Sequence, residues 1–286
     1  MTNTTTAFLA IQNNLARYQK LTAEQPSVKT ATAYYQANIG KVSTIGEFVG
    51  NYRLLSYALN AYGLGDQINN KALIAKVLEQ GTSSPRALAN TLENAHWKAF
   101  ADAFNFSAAG SAAPASATAV ATTTSDYVEQ KLEENQGQSD PGVQLALYFA
   151  RVAPTITNSL QMLADTNLTQ VVQTIFNLPA GTSETQINNE AAALQKLMPV
   201  SELKGPATVK SLTERFTAAY DAKYGVGGTD PGGSLSVSDG NAASPVSAAS
   251  SILSQVISSN SEALASRSSY TPLISPSLLA SLALGG

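Results

Sequence analysis

The segment from Tyr34 to Leu64 aligns without a gap on the segment from Tyr148 to Leu178, 114 residues further on. This recurrence limits the available folds more than any other feature of the chain. Tyr34 and Tyr35 fall on Tyr148 and Phe149, Phe48 and Val49 on Met162 and Leu163, and Leu54 on Leu168. Tyr62-Gly63-Leu64 falls on Phe176-Asn177-Leu178. The string Gln67-Ile68-Asn69-Asn70 returns letter for letter as Gln186-Ile187-Asn188-Asn189. What recurs is an apolar framework with its turn residues. No set of acids, bases or metal ligands recurs with it, so the pattern points to a scaffold.

The apolar spacing is helical. Phe8, Ile11, Leu15 and Tyr18 share one helical face, and Ile45, Phe48, Val49, Leu55 and Leu59 continue the period in the first copy. Gly63 supplies the stop, because glycine takes the left-handed conformation that closes a helix at little steric cost. Asn177, the next most tolerant residue type, stands at the equivalent position, and Pro179 bars continuation. Thr182 or Ser183 is expected to cap the following helix, with Glu184 in its first turn. Ser84 before Pro85 is expected to open a helix running to about Phe104. Leu212, Phe216, Tyr220 and Tyr224 answer it in the second copy. Ile11-Gln12-Asn13-Asn14-Leu15 resembles Val128-Glu129-Gln130-Lys131-Leu132, so each copy is expected to begin with this helix.

No run alternates apolar and polar residues with hairpin chemistry, so strands should be scarce. The expected fold is all-α, with two similar helical units. The first covers residues 8–106 and the second residues 127–226. Between them residues 107–126, almost all Ala, Ser and Thr, read as a flexible or loosely ordered linker. Residues 227–286 read as a Gly/Ser linker and a weakly ordered, partly helical tail. The tail carries Ile252, Val256, Ile257, Leu264 and the run from Leu278 to Leu284, and it needs a partner to become ordered.

Composition removes several classes of function. The net charge is −3 with no Lys/Arg-rich run, which leaves no electrostatic footprint for nucleic acid. Only 13% of residues are charged, about half the usual globular share, so the polar surface must come from Ser, Thr, Asn and Gln. The absence of cysteine removes disulfides, thiol nucleophiles and thiolate metal sites together. It also suits passage from a reducing to an oxidising compartment. The N-terminus has no basic start, and its apolar run from Ala7 to Ile11 is too short for a secretory signal. No stretch approaches the roughly 18 apolar residues of a membrane span. Export would therefore proceed without a cleavable peptide.

The chemistry-bearing residues are sparse. His96 is the lone histidine, beside the lone tryptophan, Trp97. A Ser-His-acid triad would have to use it, yet the second copy has no counterpart, and it reads as part of an amphipathic helix face. Asp230 and Asp239 flank a glycine-rich stretch but lack the EF-hand spacing and its closing Glu, so they read as linker. The loop from Gly225 to Thr229 has no following Lys and does not fit a phosphate cradle. Glu133, Glu134 and Asp140 read as a solvated helix end and turn. The repeated pairs Asn69, Asn70 and Asn188, Asn189 are the candidate binding residues, since Asn side chains recognise amides or sugars. The competing reading is helix entry, where Asn satisfies unpaired amides. Tyr34, Tyr35, Tyr148 and Phe149 read as packing between helices. No catalytic residue, cofactor or metal ligand is assigned.

The run Tyr34-Tyr35, Ile39, Val42, Ile45, Phe48, Arg53-Leu54, Ala58-Leu59 and Ala61-Tyr62-Gly63-Leu64, followed by Val77-Leu78-Glu79-Gln80-Gly81, resembles an uncharacterised alphaproteobacterial family. This is domain of unknown function 1217, whose members often sit near flagellar genes. Leu147-Tyr148-Phe149, Ala153-Pro154, Leu163-Ala164-Asp165 and Leu178-Pro179 resemble its second segment. The resemblance implies a flagellum-associated chain and carries over no catalytic residue. Cysteine-free, Ala/Asn/Gln/Ser/Thr-rich composition without a cleavable signal is similar to that of flagellar axial proteins. The expectation is a non-enzymatic structural, assembly or export-linked protein. It would contact other flagellar or export proteins, at the flagellum or exported. The alternative is a soluble, cytoplasmic helical binding module with a pocket between helices or between the copies. A hydrolase is disfavoured by the lone histidine and the missing cysteine.

Overall fold

In the computed structural model the described residues are 3–92, 94–110, 112–179 and 183–225. They are all-α, with no strand among them. The first half contains α1 (Thr4–Gln12), α2 (Leu15–Ala23), α3 (Pro26–Asn38), α4 (Ile45–Gly50), α5 (Tyr52–Ala61), α6 (Lys71–Gln80), α7 (Leu88–Thr91), α8 (Ala95–Phe104), α9 (Phe106–Ala109) and α10 (Ala112–Ala115). The second contains α11 (Ala117–Gly137), α12 (Pro141–Val152), α13 (Ser159–Leu163), α14 (Thr166–Phe176), α15 (Glu184–Leu197) and α16 (Pro206–Tyr224). The expectations for residues 227–286, including Asp230, Asp239 and the apolar tail positions, lie outside the described residues, as does Thr182.

Local chemistry sets the helix ends. Thr44 caps α4 by accepting from the Glu47 amide, while the Glu47 carboxylate accepts from the Ser43 amide. Asn158, 114 residues later, caps α13 by accepting from the Gln161 amide, and the Gln161 side chain accepts from the Thr157 amide. Each is a reciprocal cap that satisfies orphan amides at a helix start. Asn51 and Asp165, also 114 apart, cap α5 and α14 through the amides of Leu54 and Leu168. At the other ends Gly63 has φ +69° and Asn177 φ +50°. The following residues, Leu64 and Leu178, donate back to the carbonyls of Leu59 and Gln173. That six-to-one bond is how a left-handed residue closes a helix. Ser183 caps α15 in a capping box with Gln186.

Two apolar clusters form the interior. The first gathers α3, α4, α5, α6 and α8, around Tyr35, Phe48, Leu54, Leu59, Ile74 and Phe104. The second gathers α12 to α16, around Phe149, Met162, Leu168, Val172, Leu203 and Phe216. The unit boundaries expected from sequence do not coincide with these clusters. Phe8 and Ile11 of α1 pack in the second cluster, while Tyr127 and Val128 of α11 pack in the first. Polar anchors hold α1 in place: the Thr4 hydroxyl donates to Asp140 at 2.9 Å, and the Thr4 amide donates to Asp221 at 3.0 Å.

Residues 117–125, expected to be a flexible linker, are helical and belong to α11. The reason is side-chain complementarity. Ala119 and Thr123 are buried, and the Thr123 hydroxyl meets the Tyr62 hydroxyl at 3.3 Å. Small and hydroxylated residues therefore fit against a tyrosine-rich surface. Tyr57 stacks between Tyr35 and Tyr127, at centroid distances of 4.5 and 3.9 Å. The helix expected from Ser84 to about Phe104 is broken. Ser84 opens a turn by accepting from the Arg86 amide, and the chain then forms two helices, α7 and α8. Asn94 recaps the second by accepting from the His96 amide.

Candidate functional site

The caps of α5 and α14 each meet a tyrosine hydroxyl. Tyr34 reaches the α5 cap, with Asn51 Nδ2 donating to its hydroxyl at 3.3 Å. Tyr148 donates to Asp165 Oδ2 at the α14 cap. The α14 cap is a carboxylate where the α5 cap is an amide, and a third side chain meets that carboxylate. His96, on α8 of the first cluster's framework, places Nε2 2.6 Å from the Tyr148 hydroxyl and 3.0 Å from Asp165 Oδ2. The side chains of His96 and Asp165 are only 11% and 10% exposed, so His96 lies at a buried junction.

Hydrogen counting fixes the roles. The Tyr148 hydroxyl spends its single proton on Asp165, so it can only accept from the imidazole. Nε2 must therefore carry a hydrogen, shared between the Tyr148 oxygen and the carboxylate. Burial works against charge on Asp165. The bond and electrostatic pull of His96, with the Tyr148 hydroxyl and the Leu168 amide, outweigh burial and hold the carboxyl below its ordinary range. Burial and the neighbouring carboxylate push the Tyr148 phenol well above its ordinary value. Tyr148 therefore stays protonated, and the triad acts as a fixed joint. No serine hydroxyl bonds to His96 among the described residues.

An ion-pair cluster adjoins the joint. Arg151 lies 5.5 Å from the centre of the Tyr148 ring. Its guanidinium donates to both carboxylate oxygens of Glu133, at 2.6 and 2.8 Å, and to Gln130 at 3.1 Å. Glu133 was expected at a solvated helix end, but it is buried. Of its expected companions, Glu134 pairs with Lys131, and Asp140 caps α12 through the amides of Gly142 and Val143. Burial pushes the carboxyls of Asp126, Glu129 and Glu133 up, with Arg151 pulling each the other way. Bidentate pairing of this kind fixes geometry as well as charge.

The repeated Asn pairs do not share a conformation. Asn69 ends a 3₁₀ segment (Gly65–Asn69), and Asn70 precedes α6 with its side chain donating to Gln67. Asn188 and Asn189 lie inside α15. All four are exposed, and none lines the groove beside α1 or the concavity at Tyr52. Among the described residues no group of three or more His, Asp and Glu side chains converges as a metal site. No described helix is long and apolar enough to cross a membrane. A groove of about 520 Å³ opens between α1, α11, α12 and α16, lined by Phe8, Leu132, Leu147 and Val209, with Glu129, Arg151 and Lys210 among its polar groups.

The joint was hidden in the sequence because its members lie far apart. A signal was present nonetheless. Tyr34 and Asn51, like Tyr148 and Asp165, are 17 residues apart, so the same spacing marks a tyrosine-to-cap contact at both places. The one acidic cap of the two is the one that needs a buried donor.

The family model described as "Protein of unknown function (DUF1217)" matches residues 61–209. The X-ray crystal structure of protein AGR_C_984 from Agrobacterium tumefaciens is similar to this chain, with 37% identity and a TM-score of 0.71. The similarity covers 76% of this chain and 93% of that one. Among curated proteins no match is found.

Proposed function

The chain belongs to the DUF1217 family, and we propose that it is a non-enzymatic, flagellum-associated protein acting in structure, assembly or export through protein–protein contacts. The proposed body is two similar helical units, interlocked by α1, which packs in the second cluster, and by α11, which packs on both. The observation that carries this reading is how the reactive side chains are used. The lone histidine, its aspartate and the buried arginine are all committed to holding helices together. The groove beside α1, by contrast, presents mainly apolar walls. Grooves of this kind accept the apolar face of a partner helix. The cysteine-free, weakly charged composition supports export to, or residence at, the flagellum. Affinity capture from motile cells, followed by fractionation, tests the reading. Recovery with flagellar or export components is expected, and recovery only as a free cytoplasmic chain would refute it.

The second reading is a soluble, cytoplasmic helical binding module. The same groove favours it, because its volume falls within the range of about 300–1,000 Å³ typical of small-molecule sites. A ligand-dependent thermal-shift screen separates the two. A saturable small-molecule hit that is lost on altering the groove favours the module.

A further inference from the structure

We infer that the tyrosine-lined concavity between α3, α5 and α11 is a docking groove for an extended, proline-containing peptide segment of a partner protein, bearing a carboxylate that pairs with Arg53. The inference rests on the reading of this chain as a protein-contact module and names the chemistry of one partner. The concavity measures about 530 Å³ and is open to solvent. Pro26, Tyr34 and Tyr52 line it, with the buried Tyr57 and Tyr127 at its floor side. Tyr57 and Tyr127 are held rigidly by the ring stack that runs into the first cluster. Tyr52, at the start of α5, is 62% exposed, unusual for a large aromatic residue. Proline rings in the polyproline II conformation pack on such aromatic walls, and their preformed backbone loses little entropy on binding.

Charge selects the partner. The Arg53 guanidinium lies 3.6 Å from the Tyr34 ring centre, stacked on it and exposed. Among the described residues no carboxylate pairs with it, and Glu47, six residues earlier, accepts instead from the Ser43 amide. No Asp or Glu lines the groove. A guanidinium oriented by stacking is prepared for bidentate pairing with a carboxylate. The open shape favours an extended segment over a small molecule, which needs a more enclosed site.

The test uses the full chain and three synthetic peptides in titration calorimetry. One is proline-rich with two glutamates, one is the same peptide with lysines, and one is an alanine-based helix with two glutamates. The glutamate–proline peptide should bind saturably and at least tenfold more tightly than the other two. Tyr52→Ala should weaken it tenfold or more, and Arg53→Glu should reverse the preference toward the lysine peptide. Both side chains are exposed, and an unchanged unfolding midpoint verifies that the variants fold. Absence of saturable binding, equal binding of the helical peptide, or indifference to Arg53→Glu would overturn the inference. Motility of a gene-deletion strain reports on the flagellar reading separately. Motility lost in that strain with no peptide bound overturns the groove alone.

Discussion

His96 and Asp165 stand on different helical clusters, yet Nε2 of one lies 3.0 Å from Oδ2 of the other. The contact turns the α14 cap into a joint between the two clusters. Replacing His96 with Ala leaves a buried carboxylate short of one donor and opens space against Gly63, whose Cα faces the imidazole. Loss of a bond to a charged, buried group costs about 2–3 kcal/mol. Urea denaturation of His96→Ala should show that loss. In combination with Asp165→Asn the effects should be markedly less than additive, because both changes break one bond.

Gly142 lies where α12 packs tightly against Tyr220 and Thr4. A Cβ there would stand 2.5 Å from the Tyr220 ring and 2.8 Å from Thr4, and Tyr220 is fully buried. Gly142→Ala should destabilise the chain by about 1–3 kcal/mol through overpacking. Gly50, at the end of α4, has open space in that direction, so Gly50→Ala should be neutral or gain up to about 1 kcal/mol. Thermal unfolding of the two variants side by side checks the contrast.

Gly63 and Asn177 meet the same left-handed requirement with different residues. Gly63→Ala should cost about 1–2 kcal/mol, because a Cβ is strained in that conformation. That Cβ would also lie 3.4 Å from the His96 ring. Asn177→Gly should be neutral to stabilising, since it removes the residual strain. Chemical denaturation midpoints for both variants decide the point.

The carboxyls beside Arg151 give an unusual pH dependence. Asp126, Glu129 and Glu133 have folded-state pKa values raised by burial above 3.8, 4.5 and 4.5. The native state therefore holds these protons longer than the unfolded chain does. Their contribution is fully present below the unfolded values and is lost as pH rises through the folded ones. Asp165, lowered below 3.8, works in the opposite direction: its contribution is present above that value and lost as pH falls through the folded value. Stability from the raised carboxyls should therefore grow as pH falls from neutral toward their unfolded values, and the contribution of Asp165 should then be lost as pH falls further through its lowered value. Glu129→Gln should be more stable than the parent at pH 7 and gain less on acidification. Denaturation curves between pH 3 and 7 measure both effects, and a parent maximum at neutral pH would contradict them.

Local chemistry was legible in the sequence. The glycine and asparagine stops, the Ser183 cap and the apolar faces depend on residues within a few positions of one another. The all-α class followed from them. What escaped depends on partners far along the chain. His96 gives no local sign of Asp165, nor Glu133 of Arg151, because burial is decided by packing. The Ala/Thr composition of residues 117–125 resembles a linker until Tyr62 supplies a partner for Thr123. The placement of Phe8 in the second cluster is likewise a tertiary choice, made by Thr4, Asp140 and Asp221. The Asn pairs illustrate the reverse: identical letters stand at the end of a 3₁₀ segment at Asn69 and Asn70 and within a helix at Asn188 and Asn189.

The most direct measurement is swimming motility, with filament assembly and secreted flagellar protein scored, in a strain lacking the gene and in the same strain complemented with the intact chain. The expected result is a defect in at least one of the three, restored by complementation. Motility, assembly and secretion all unchanged by the deletion would contradict the proposed flagellar role.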